Sequence, residues 1–123
     1  MTTKTFRKVL SAATLQGDSV YNLEGDNLGK IDEIMIDVEE GVVAYAVLSF
    51  GGFLGLGDKL FAIPWASLTV DEENKRFILN VEKEKLKKAE GFDKNNWPDM
   101  SNPSWRDRNY SFYDIEPYWE NAA

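Results

Sequence analysis

The sequence predicts a mainly β protein: a small, six-stranded, mostly antiparallel barrel, then one short helix and an aromatic-rich C-terminal extension. Three observations predict it. Short runs of strand character recur along the first two thirds of the chain, divided by turn-forming residues, with no long helical pattern among them. Val42–Phe50 and the LFAIPW run at 60–65 are almost wholly apolar, so each needs cover on both faces. Between them lies GGFLGLGDK, whose glycines Gly51, Gly52, Gly55 and Gly57 allow a sharp change of direction and close backbone approach.

Residues 1–10 read as a lead-in. Ser11 is placed to cap a short turn through residues 12–16, and Gly17 ends it. Residues 18–23 form a strand with Val20 and Leu23 inward, and EGDN at 24–27 is a turn. In the strand at 28–38, Ile34, Ile36 and Val38 alternate with Met35 and Asp37. Leu28 and Ile31 are out of phase with that set, and a bulge near Asp32 and Glu33 reconciles them. Glu39, Glu40 and Gly41 close a hairpin into Val42–Phe50. There Val43, Tyr45 and Val47 face one side, and Ala44, Ala46, Leu48 and Phe50 the other.

A strand at 60–63 follows the glycine corner. Pro64, Trp65 and Ala66 are expected to leave the ladder, because Pro64 has no N–H to donate. Residues 68–70 and 76–81 make a last hairpin around DEENK. VEKEKLKKAEG at 81–91 is the helix, with Val81, Leu86 and Ala89 as its apolar stripe, Glu84 and Lys88 as a solvated pair, and Gly91 as its stop. NNWPDMSNPSW at 95–105 is turn-rich, with Pro98 and Pro103. Beyond it Tyr110, Phe112, Tyr113, Tyr118 and Trp119 stand close together.

Three segments carry a family resemblance: GDSVY at 17–21, LGKIDEIMID at 28–37, and above all GGFLGLGDK followed three residues later by IPW. Together they resemble the PRC-barrel domain, known from photosynthetic reaction-centre H subunits, a ribosome maturation factor and small stand-alone bacterial proteins. The resemblance covers residues 10–82, and the tail at 83–123 looks like that of the stand-alone members. It implies a PRC-type β-barrel that binds other proteins and has no chemistry of its own. The domain organisation expected is therefore a β domain at 10–82. The helix and aromatic extension at 83–123 then pack on the barrel or on a partner subunit.

At 123 residues the chain holds one domain with a modest core. A net charge of −7 repels phosphate backbones and anionic membrane surfaces, so neither nucleic-acid binding nor membrane insertion is expected. No apolar stretch is long enough to span a bilayer, and the N-terminal residues lack the apolar core of a signal peptide, which points to the cytoplasm. The chain has no histidine and no cysteine. That removes Ser-His and Cys-His nucleophilic machinery, His- or Cys-held metals and the commonest general base near neutral pH. No catalytic residue, cofactor or metal site is therefore assigned.

Each remaining motif has a bland reading beside a functional one. GGFLGLGDK differs from a phosphate-binding loop, since Asp58 precedes Lys59, no hydroxyl follows and the next segment is a strand. Gly51, Gly52, Gly55, Gly57, Pro64 and Trp65 read as a structural corner. Phe53, Leu54 and Leu56 at its tip either fold onto the barrel mouth or meet a partner. The acidic groups, Glu24 with Asp26, Asp32 with Glu33 and Asp37, Glu39 with Glu40, and residues 71–73, lack calcium-loop spacing and read as solvated turns. Trp105, Tyr113 and Trp119 are candidate partner anchors, or a cap on the barrel itself.

The function expected is a non-enzymatic protein-interaction or scaffold module, in stress response or in the assembly of a larger complex. A homodimer is expected, because Val42–Phe50 is apolar on both sides whereas a barrel covers only the inside. The rival reading is a ligand-binding or hydrolytic protein using an aromatic-lined barrel mouth.

Overall fold

The computed structural model of the protein describes residues 8–51 and 59–120. Six strands form one sheet: β1 (Ser19–Tyr21), β2 (Asn27–Asp37), β3 (Val42–Phe50), β4 (Lys59–Pro64), β5 (Leu68–Asp71) and β6 (Arg76–Leu79). Their order is β4-β3-β2-β1-β6-β5, and the sheet curls into a half-barrel. Every pairing is antiparallel except β1 with β6. Among the described residues three α-helices accompany the sheet: α1 (Ala12–Leu15), α2 (Lys83–Lys87) and α3 (Pro103–Phe112).

The curl comes from irregularities in β2 and β3. Opposite β3, the register passes from Ile31–Leu48 to Glu33–Val47, so Asp32 is an extra residue in β2. This is the bulge that the phase slip of Leu28 and Ile31 predicts. Farther along it passes from Met35–Tyr45 to Ile36–Val43, and here Ala44 is the extra residue, in β3. A third shift, opposite β1, skips Leu28 beside Gly29. Gly29 has φ +129°, and a Cβ built on it would lie 2.1 Å from the Ser49 carbonyl oxygen. Only glycine permits that approach of β2 to β3.

Val20, Leu28, Ile31, Leu48, Phe61, Ile63, Phe77 and Leu79 fill the concave side and are fully buried. Each such side chain contributes about 1.5–3 kcal/mol by leaving water. Leu86 and Ala89 of the α2 region are buried in this core, as their stripe predicts. Trp65 is half-buried and packs edge-on against Phe77, with ring centroids 6.0 Å apart.

Several local expectations are corrected. Leu23 is not inward but 69% exposed. β1 ends at Tyr21, and it is Asn22 that turns in, its amide donating to the Val81 carbonyl and its Oδ1 accepting from the Asp26 N–H at 2.8 Å. Pro64 does not leave the ladder: it pairs with Tyr45 as the last residue of β4, where no N–H is needed, and the 3-10 turn Trp65–Ser67 follows. Ile36 and Val38, read as part of a half-buried alternation, are exposed: Ile36 is next to last in β2 and Val38 lies beyond it in the hairpin turn. On α2 the ion pair is Lys87 with Glu84, at 3.3 Å, rather than Lys88 with Glu84. Gly91 lies against the Leu60 carbonyl and the Phe61 ring, so its absent side chain permits packing rather than stopping a helix.

The largest correction is α3. A ten-residue helix begins at the end of the segment read as turn-rich and runs on through the first of the aromatics beyond it, where no helix is expected. Asn102 caps it, its Oδ1 accepting from the N–H groups of Ser104 and Trp105, and Pro103 occupies the first helical position, where its missing N–H costs nothing.

Candidate interaction face

The convex side of β3 and β4 presents Ala44, Tyr45, Val47, Leu60 and Ala62, and the chain covers this side itself. Phe92, Trp105 and Tyr110 pack onto it and are buried there. The cover is also hydrogen-bonded. Leu60 and Phe92 exchange backbone N–H···O bonds of 2.9 and 2.8 Å, and the Asn109 amide donates to the Ala62 carbonyl at 2.8 Å. Those bonds occupy part of the β4 edge, which an open sheet would otherwise offer to another strand. The apolar outer face that led to the expectation of a homodimer is thus met by residues of the same chain.

Rings interlock through this layer. Tyr45 meets Trp105 and Tyr110 edge-on, with centroids 5.4 and 5.7 Å apart, and Tyr110 meets Trp119 at 4.7 Å. Arg106 lies over the Trp119 ring, 4.4 Å from its centroid. Burial pushes the Tyr45 hydroxyl well above its ordinary pKa, and that of Tyr110 up to about 12, so both are neutral at physiological pH.

At the end of the β2–β3 hairpin the cover stops. Ile36, Val38 and Val42 are 53%, 86% and 42% exposed. They adjoin a groove of 310 Å³ whose walls include Met35, Tyr45, Met100, Arg106 and Tyr118. The hairpin turn rims it with Asp37 and Glu39. The turn is stiff: Asp37 Oδ1 accepts from the N–H groups of Glu39 and Glu40, and the Gly41 N–H donates to the Asp37 carbonyl at 2.8 Å. The Tyr118 hydroxyl donates to Asp37 Oδ2, tying the C-terminal 3-10 turn to the groove's edge. That hydroxyl, with the two amides, holds the Asp37 carboxyl below its ordinary range.

The sequence-predicted contacts fall in different places. Phe53, Leu54 and Leu56 lie outside the described residues, as do Gly52, Gly55 and Gly57; Gly51 is described and exposed. Trp105 and Tyr113 are only 6% and 8% exposed, Trp105 beneath α3 against Tyr45 and Tyr113 in the concave core. Trp119 is half-buried between Tyr110 and Arg106. Of the three tail aromatics, only Trp119 keeps appreciable surface. Sequence reasoning missed the hairpin end, because Ile36 and Val38 alternate as core residues should. The acidic turns are engaged locally: Asp71 accepts from Arg76 and Asn74, both at 2.9 Å. Among the described residues no group of three or more acidic side chains is placed to hold a metal ion, and no helix is long and apolar enough to cross a membrane.

Among solved structures, a RimM protein of Pseudomonas aeruginosa, described by a role in 16S ribosomal RNA processing, superposes with a TM-score of 0.42 at 18% identity. The match covers 61% of this chain and 45% of that one, so this chain spans less than half of its length. No curated protein matches. The family model for the PRC-barrel domain matches residues 7–86, from just before α1 into α2 and across all six strands, and the chain belongs to the PRC-barrel domain family.

Proposed function

We propose that the chain is a non-enzymatic protein-interaction module whose contact face is the exposed end of the β2–β3 hairpin with its adjoining groove. The observation that carries this reading is the exposure of Ile36, Val38 and Val42 together, beside a groove walled by Met35, Met100 and Tyr118. Singly exposed apolar residues are ordinary on a protein surface, but a contiguous set beside an apolar groove marks a contact site. Two further observations support it. The concave interior is lined by packed apolar side chains, which supports a scaffold over a ligand container. Histidine and cysteine, which carry most nucleophilic and acid–base chemistry near neutral pH, are absent from the sequence.

Phe53, Leu54 and Leu56 are proposed as a second contact at the glycine corner, and Trp119 as a flanking one. A cytoplasmic location is proposed as well.

The test is a comparison of tagged wild type with Ile36→Ser/Val38→Ser in affinity capture from the native cell. Both side chains are exposed, so the variant should fold with an unchanged thermal midpoint. Proteins retained by the wild type and lost by the variant support the reading. Identical sets from both would contradict it.

A further inference from the structure

We propose that the occupant of this face is a basic amphipathic segment of another protein. Its apolar side chains lie over Ile36, Val38 and Met35, and its Lys or Arg side chains meet Glu39 and Glu40. This rests on the reading above, that the hairpin end binds protein.

The floor and the rim point to that chemistry separately. Two of the three methionines in the sequence, Met35 and Met100, line the groove. Unbranched, polarisable side chains adapt to an apolar stripe without demanding one fixed shape. The rim is acidic. Asp37, Glu39 and Glu40 sit on one turn, and among the described residues neither Glu39 nor Glu40 has an ion-pair partner. Arg106, which also lines the groove, stacks on Trp119 and lies near enough to Asp37 to favour its charged form, but it makes no ion pair with Glu39 or Glu40. Asp37 keeps its negative charge across the physiological range, since its carboxyl is held below the ordinary value by Tyr118 and two backbone amides.

Charge complementarity separates this occupant from the others. A second copy of the chain, meeting this face across a two-fold axis, would bring two sets of Glu39 and Glu40 together. An acidic peptide or an anionic surface would meet the same repulsion. An apolar segment flanked by cations buries the exposed Ile36 and Val38 and pairs with the rim at once.

The experiment is fluorescence anisotropy with two dye-labelled synthetic helical peptides of about 15 residues, long enough to form helix on binding. One has a leucine stripe with lysines, the other the same stripe with glutamates. The expected result is micromolar binding of the lysine peptide that weakens with added salt, and binding of the glutamate peptide weaker by about tenfold or more. Glu39→Lys/Glu40→Lys should cost the lysine peptide about tenfold in affinity and improve the glutamate peptide. Glu24→Lys/Glu73→Lys, with the same change in net charge away from this face, should leave both affinities within about twofold. Ile36→Ser/Val38→Ser should lose both.

No binding of the lysine peptide overturns the proposal. So does an equal loss in the two charge-reversed variants, which would show attraction to net charge alone. If both peptides bind equally and both are lost with Ile36→Ser/Val38→Ser, the face binds protein but its preference for a basic partner is refuted. Sedimentation showing a wild-type dimer that Val38→Ser dissociates would make the second copy the occupant and also overturn it.

Discussion

The Tyr110 hydroxyl donates to the Ala44 carbonyl at 3.2 Å, joining α3 to the residue of β3 that the ladder with β2 skips. A bulge leaves the inserted residue outside the regular pairing, and here a side chain from the C-terminal extension meets it. Tyr110→Phe removes the donor and leaves a buried carbonyl unpaired. The expected loss is about 1–2 kcal/mol, read as a lower urea midpoint with an unchanged slope.

Gly29 supports the close crossing of β2 and β3 on the other side of the same strand pair. Gly29→Ala would set a methyl carbon 2.1 Å from the Ser49 carbonyl oxygen. The backbone must move, and the loss should be about 3 kcal/mol or more by urea denaturation. Gly41→Ala is the control: its φ is also positive, at +70°, but nothing lies within 4 Å of the added carbon. It should cost only about 1 kcal/mol.

The Tyr118–Asp37 bond gives stability a defined acid dependence. The folded-state pKa of Asp37 is depressed, so its contribution is fully present above the ordinary value of 3.8 and is lost as pH falls through the folded value. Tyr118→Phe removes the largest cause of the depression. The carboxyl titration followed by carbon NMR should therefore move up toward 3.8. The stability gap between wild type and variant should be flat near neutral pH and close in acid. A gap that widens in acid would refute the assignment.

Removing residues 91–123 would bare Tyr45, Val47, Leu60 and Ala62 and free the Leu60 N–H and carbonyl from Phe92. An apolar face beside an unpaired edge strand seeks another chain. The truncated protein should self-associate in sedimentation at concentrations where the full chain does so much less.

Much of the sheet is legible in the sequence. Val42–Phe50 is bounded by a glutamate-glycine turn and a glycine corner, and the strand occupies that span. The phase slip of Leu28 and Ile31 announces the bulge at Asp32, because two registers of one strand cannot share a face without an inserted residue. The Ala44 bulge leaves no such trace, since its neighbours are apolar on both faces. The exposure of Ile36 and Val38 is hidden as well, because the apolar alternation runs unbroken to the end of β2 and into the turn. Helix α3 is masked by composition: Asn, Asp, Ser and Pro dominate its approach, and its buried residues Trp105 and Tyr110 are five apart, off the usual three-and-four spacing. The pair Asn102-Pro103 carries the signal that could have found it, a capping side chain followed by proline at the first helical position. The two-sided apolar character of β3 is plain in the sequence. What supplies the second cover depends on contacts more than forty positions away, such as Asn109 with Ala62, which no local pattern encodes.

The central claim is that sheet and extension form one unit, so that the hairpin end is the apolar surface left for a partner. Three of the four tryptophans, Trp97, Trp105 and Trp119, lie in the extension, whereas the sheet dominates the far-ultraviolet circular dichroism. Urea unfolding followed by both signals on one sample tests the claim most directly. The two transitions should coincide in midpoint and slope. A tryptophan transition complete at lower urea, with the sheet signal still native, would contradict it.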